Sequence, residues 1–316
     1  MEKLIAWLCL CIVLCAQEAT FKVYDKTFST LINTHTQPKI LYHRGLWLEG
    51  PQVLPNGDLV VSDVEGNEVL LFQRIHHKFK MRVWFQPSHH QNGHALDTKG
   101  RLVAVSHGNR DLERLEHGHW HVLASTYHHK RFNSPNDVIV DHQGHIYFSD
   151  PKFGLLGSGQ IATQEGEFIY RYDPNTKQVT RLNTPSLKSP NGLALSPDEK
   201  ILYIADSQLA YDPSDLNLKH QILAYDIFPD QSLHNERVFA VIAPGFPDGI
   251  KVDSQGNLWA SNGHGIQVFN PQGKMLGEII LPQVVSNLAF DSKTPALFVT
   301  SDSKLYMFKL GSKQSD

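Results

Sequence analysis

The sequence predicts an all-β fold, a six-bladed β-propeller with four-stranded blades whose last blade is closed by an N-terminal strand. Three observations predict it. Six copies of one pattern run along the chain, each copy has room for about four strands, and turn residues punctuate short apolar runs throughout. The 22 glycines and 17 prolines, with only 19% charged residues, exclude a coiled coil or a bundle of long helices. A hydrophobic content of 41% and a net charge of −3 exclude a disordered chain and offer no basic field to a nucleic-acid partner.

Each copy opens on an acidic or amide residue, often followed by Gly. An apolar strand, a turn and a second apolar strand ending in Ser or Asp then follow. The lead residues are Glu49, Asn92, Asn136, Asn191, Asp248 and Asn287, at intervals of 43, 44, 55, 57 and 39 residues. The turns at Asn56-Gly57, Lys99-Gly100, Gln143-Gly144 and Gln255-Gly256 supply residues that tolerate positive φ. A second hairpin follows in most copies, turning at Asp173-Pro174-Asn175 in the third and at Pro271-Gln272-Gly273 in the fifth. Four strands repeated six times is the propeller pattern; solenoid repeats are shorter or helical. After Asn287 only two clear strands remain, so Pro38–His43 is expected to supply the missing outer strand of the last blade.

The N-terminus reads as a targeting segment. One lysine, Lys3, precedes twelve apolar residues, Leu4 to Cys15, and small residues follow. The run is shorter than the roughly 20 residues a membrane span needs, which fits a secretory signal peptide over residues 1–16, with an uncleaved anchor as the competing reading. Residues 17–316 then form a single propeller domain, exported to a periplasm or secreted. All three cysteines (Cys9, Cys11 and Cys15) lie in the apolar run, so the exported chain has no disulfide, thiol nucleophile or cysteine metal site.

Chemistry is expected where the lead residues meet. The first strand of each propeller blade lines the central channel, so the six lead residues converge at one mouth of it. Two carboxylates and four amides form an oxygen-only cluster suited to a divalent cation, Ca²⁺ first, with Mg²⁺, Mn²⁺ or Zn²⁺ admissible. Turn capping would explain an Asn at any single position, but not the Glu and Asp in two copies. Insertions at Gly154–Glu167 and Ser207–Gln221 follow the second strands of their blades and are expected to overhang this mouth, where loops carry specificity. Of 18 histidines, 13 fall between His76 and His145. The His117, His119 and His121 run spans a turn at Gly118 and is read as surface. His107 and His94 sit near the mouth, where ligand contact and core packing are equally open. No nucleophile elbow, phosphate loop, HExxH or dinucleotide fingerprint is present.

The segments Arg131–Asp137, Tyr147–Gly154, Ser189–Gly192 and Pro247–Gly249 closely resemble the SMP-30/gluconolactonase (regucalcin-like) family. The resemblance extends from about Pro38 to Leu310. Ser106-His-Gly-Asn-Arg110 is similar to a weaker form of the family's acidic-His-Gly signature. Ser134 stands where the regucalcin branch has an arginine, so the gluconolactonase branch fits better. The resemblance implies a metal-dependent hydrolase of sugar lactones such as glucono-1,5-lactone. It places metal ligands at Glu49, Asn191 and Asp248, with Asn136 as a ligand or a substrate contact. In this reading the cation polarises the lactone carbonyl, Asp248 orients or activates water, and Asn136, His107 and Arg110 read the substrate. A non-catalytic sugar-binding propeller and a related esterase or acyl-lactonase are the alternatives.

Overall fold

The computed structural model describes residues 18–311 except His77 and Ser292; the predicted signal peptide and the three cysteines lie outside them. Six antiparallel sheets stand around a central axis. In the first blade the strands are Leu48–Val53, Leu59–Asp63, Glu68–Ile75 and Lys78–Phe85, running outward in chain order. The next three blades repeat this from Gln91, Val138 and Pro190. The fifth blade starts at Ile250 and the sixth at Asn287. Each innermost strand packs against those of the blades on either side, and Asn287–Asp291 returns to Leu48–Val53 to close the ring.

The expected closure is present. Lys39–Tyr42 pairs antiparallel with Lys304–Lys309 and completes the sixth blade. A second N-terminal strand, absent from the sequence reading, extends the fifth blade: Thr20–Val23 pairs with Met275–Ile280. It is an exposed edge strand of mixed polarity, so no apolar alternation marks it. Its half-buried Phe21 reaches Phe308 edge-on, with ring centroids 6.3 Å apart.

The core is divided among the blade interfaces. One cluster joins Leu48, Leu59 and Phe72 of the first blade to Phe298 and Leu305 of the sixth. Others join Val105 to Phe148, Tyr147 to Ile204, and Ala205 to Ala260 across the following interfaces. The alternating apolar residues of the strands serve these interfaces, because a propeller blade is covered on both faces. Among the described residues no helix is long and apolar enough to cross a membrane.

The recurring Gly after a lead residue has a steric cause. A Cβ on Gly50 would lie 1.9 Å from the Asn92 carbonyl oxygen, on Gly93 2.8 Å from that of Asn136, and on Gly192 2.3 Å from that of Asp248. On Gly249 it would meet the Asn287 side chain at 2.1 Å. The backbone of one blade therefore rests directly on the lead residue of the next. Gly93 N–H donates to Asn136 O at 2.9 Å, and Gly192 N–H to Asp248 O at 3.0 Å. Hydroxyls ending the second strands lock the same level. Ser62 donates to Asn92 O (2.9 Å), while Ser261 and Thr300 accept the Asp248 and Asn287 N–H groups (3.0 and 3.1 Å).

Gly50→Ala introduces both this clash and an unfavourable φ of +52°. It is expected to cost at least about 2 kcal/mol of stability in urea denaturation. Gly118→Ala, with φ +84° but open space around the new methyl, is expected to cost only about 1 kcal/mol.

Candidate active site

At the mouth carrying the lead residues the ring encloses a cavity of about 640 Å³. Glu49, Asn92, Asn136, Asn191 and Asp248 all line it, together with His107. The sixth lead residue, Asn287, sits behind Glu49 and donates Nδ2–H to its Oε2 at 3.0 Å. The Gly50 N–H donates to the same oxygen at 2.6 Å. Glu49 is thus fixed from two blades and is only 2% exposed. Asp248 keeps part of its surface open to the cavity, and its carboxylate accepts a hydrogen bond from the Asn191 amide.

The two acids stand in each other's field. Burial pushes Glu49 up to about 7, against the relief given by the Gly50 N–H and the Asn287 amide. Burial and the neighbouring Glu49 raise Asp248, with the Asn191 amide opposing. Asp137, beneath them, adds to both rises and is itself 3.7 Å from the Lys251 ammonium. The charge of each acid thus opposes ionisation of the other.

This corrects the expected cofactor. Glu49, Asn136, Asn191 and Asp248 do gather at the mouth, but the group contains two acids and neutral amides. Among the described residues no three His, Cys, Asp or Glu side chains come together as a metal-holding group. The expectation of Ca²⁺, or of Mg²⁺, Mn²⁺ or Zn²⁺ in its place, does not fit these residues.

His107 is buried, and its Nε2 faces two amides, Asn92 Nδ2 at 3.2 Å and Asn136 Nδ2 at 3.5 Å. Both are N–H donors, so Nε2 accepts. Burial, then the nearby His90, lowers His107 to about 4 and keeps the ring neutral for this purpose. The imidazole orients the two amides, and Asn92 Oδ1 is left buried without a partner at the cavity wall. Gly154 is where it is because a Cβ there would strike His107 Cγ at 2.4 Å.

Both insertions reach the cavity as expected. Gly154, Leu156, Gly157, Ser158 and Gln160 line it from the first, and Ala210 from the second. Arg110 is placed behind this wall. Its buried guanidinium donates to Phe132 O (2.7 Å), Ile161 O (3.1 Å) and Thr163 Oγ1 (3.1 Å). It anchors the first insertion and does not line the cavity. His94 also lies outside it; its Nδ1–H donates to Gly50 O at 2.8 Å, and its Nε2 is buried without a partner. His119 and His121 are exposed on an outer strand opposite Glu116 and Arg114. The sequence reading missed Leu46, Trp47, Phe153 and Phe246, which line the cavity's outer part; of these only Phe153 fell within a singled-out motif.

Residues 47–303 match the family described as SMP-30/Gluconolactonase/LRE-like region. A gluconolactonase of Zymomonas mobilis is 29% identical over 302 residues, spanning 88% of this chain and 82% of its own. A lactonohydrolase of Aspergillus oryzae is 31% identical over 188 residues, spanning 55% of this chain and 43% of its own. The solved structure of a gluconolactonase from Xanthomonas campestris superposes with a TM-score of 0.84 at 33% identity, covering 92% of this chain and 94% of that one.

The buried imidazole of His94 makes a test of the mouth's electrostatics away from the cavity. Burial holds it neutral, lowering it from 6.5 to about 4. The unfolded chain therefore binds more protons than the native one between these values, and the stability due to neutral His94 is lost as pH falls from about 6.5 towards 4. Urea titrations of the parent and His94→Phe across this range are expected to converge towards low pH.

Proposed function

Because the chain belongs to the SMP-30/gluconolactonase family, on its gluconolactonase branch, it is a lactone hydrolase, and we propose that the Glu49–Asp248 pair carries its chemistry. The observation that supports this reading is the pair itself: two buried acids at the floor of the cavity, each fixed by an amide, each raised by burial.

Asp248, open to the cavity, orients water and takes a proton from it as the oxygen attacks the lactone carbonyl. Glu49, pushed up to about 7 by burial, donates a hydrogen bond to the carbonyl oxygen in its protonated form as charge develops there. Collapse of the tetrahedral adduct breaks the bond from the carbonyl carbon to the ring oxygen. The proton taken by Asp248 passes to that oxygen, which leaves as a hydroxyl, and the pair returns to its starting state. Asn136 and Asn92, held by His107, receive substrate hydroxyls, and Asn191 keeps Asp248 in position. Arg110 acts on the substrate indirectly, by holding the loop that walls the cavity. A sugar lactone such as glucono-1,5-lactone is the first substrate to test.

The fold and the N-terminal run also support a proposal of location and organisation. Residues 17–316 act as one propeller domain, and the apolar run from Leu4 to Cys15 directs its export to a periplasm or outside the cell. N-terminal sequencing of protein made in its own host is expected to begin near residue 17; a chain beginning at Met1 would contradict it.

Asp248→Asn and Glu49→Gln are each expected to lower lactone turnover by at least about 10²-fold in a pH-stat assay. Full activity in Asp248→Asn would remove Asp248 from the mechanism. Activity of the parent is expected to decline as pH rises through about 7, where Glu49 loses its proton.

A further inference from the structure

The cavity has two chemically different levels. Its floor is polar, made of Glu49, Asn92, Asn136, Asn191, Asp248 and His107. Its outer wall is dominated by Leu46, Trp47, Phe153, Leu156 and Phe246. Leu46 and Leu156 are each 64% exposed, from separate loops on blades one and three. Exposed leucines lining a cavity lose their hydration only when something apolar covers them. Polar side chains also line the cavity at Glu65, His90, Ser158 and Gln160, but among the described residues no Lys or Arg lines it.

We propose that the preferred substrate is a lactone bearing an alkyl or aryl substituent, its ring on the polar floor and its substituent against the Leu46–Trp47–Phe153–Leu156–Phe246 wall. This rests on the hydrolase reading above and refines it. A volume of about 640 Å³ falls in the range that encloses a drug-sized ligand and exceeds what a lone six-membered lactone ring fills. A fully hydroxylated substituent would set hydroxyls against leucine and aromatic carbon, leaving them short of partners. An anionic substituent would meet Glu65 with no Lys or Arg to offset it. The wall is also held in shape. Phe153 packs on Tyr211 with ring centroids 4.9 Å apart, and Tyr211 donates its hydroxyl hydrogen to Glu167 at 2.7 Å, tying the two insertions together.

Kinetics with δ-valerolactone, δ-decalactone and glucono-1,5-lactone test the inference on the full chain. δ-Decalactone is expected to have a kcat/KM about tenfold or more above the other two. Leu46→Ser and Leu156→Ser, both at exposed positions the fold does not need, are expected to reduce that preference severalfold, through KM. Calorimetry with the matching lactams, which are not hydrolysed, reads the wall without the chemistry. Tighter binding of the pentyl-substituted lactam, weakened in both serine variants, supports the inference even if no lactone turns over, an outcome that would defeat the hydrolase reading alone. Equal binding of the two lactams, or a preference for glucono-1,5-lactone that the serine variants leave unchanged, overturns it.

Discussion

The spacing of the whole mouth depends on how closely one blade's backbone approaches the next blade's lead residue. At Gly50, Gly93, Gly192 and Gly249 the approach is too tight for any side chain, and backbone hydrogen bonds at Gly93 and Gly192 fix it to within a fraction of an ångström. Where the glycine is missing, a side chain takes over the same duty. Asp137 follows Asn136, and its carboxylate accepts the Leu193 N–H of the next blade at 3.1 Å. In the last blade Ser286 donates to Leu48 O at 2.6 Å, and Asn287 donates to Glu49, carrying the linkage back to the first blade. The lead side chains are therefore placed by the ring and not by their own loops, which is the rigidity a reacting site needs.

That placement sets the electrostatics. Six polar side chains are brought to one axis out of water, and if all were acids the repulsion would open the ring. Four are amides, which supply hydrogen bonds without charge, and those of Asn287 and Asn191 bond the two acids. The other two, Asn92 and Asn136, are aligned by neutral His107, whose basicity is suppressed by the same burial. One physical cause, exclusion of water at the mouth, thus raises the acids and lowers the imidazole together. Both shifts favour the protonation states that acid–base chemistry near neutral pH requires.

The architecture was legible because its rules are periodic. The lead residue and the hydroxyl near the end of each second strand repeat six times and the turn glycine four times, and each repetition reinforces the others. The convergence of Glu49, Asn136, Asn191 and Asp248 followed from that periodicity, as did the overhang of the two insertions. What was not legible lacks a repeat. The strand Thr20–Val23 pairs only at an exposed edge, so no buried face imposes an alternation on it. The wall residues Leu46, Trp47 and Phe246 sit in irregular connections, where neighbours depend on tertiary packing. The cation was inferred from oxygen donors and from the family resemblance; the sequence does not reveal how burial acts on the two acids. Arg110 looked like a substrate contact because it ends the His107 segment, but its guanidinium turns back to staple the insertion behind the wall.

Closure by the chain's own early residues has a consequence for how the molecule is made. Lys39–Tyr42 waits for Lys304–Lys309, and Thr20–Val23 waits for Met275–Ile280. Two strands near the beginning of the described chain thus pair with strands that emerge from synthesis only after most of the others. Until then the two early strands wait without their partners, with unpaired backbone groups open to any passing strand. The long sequence separation also places these pairings among the slowest to form. The ring is open for nearly the whole of its synthesis, and this seam is where a growing chain is most exposed to aggregation or to capture by a chaperone.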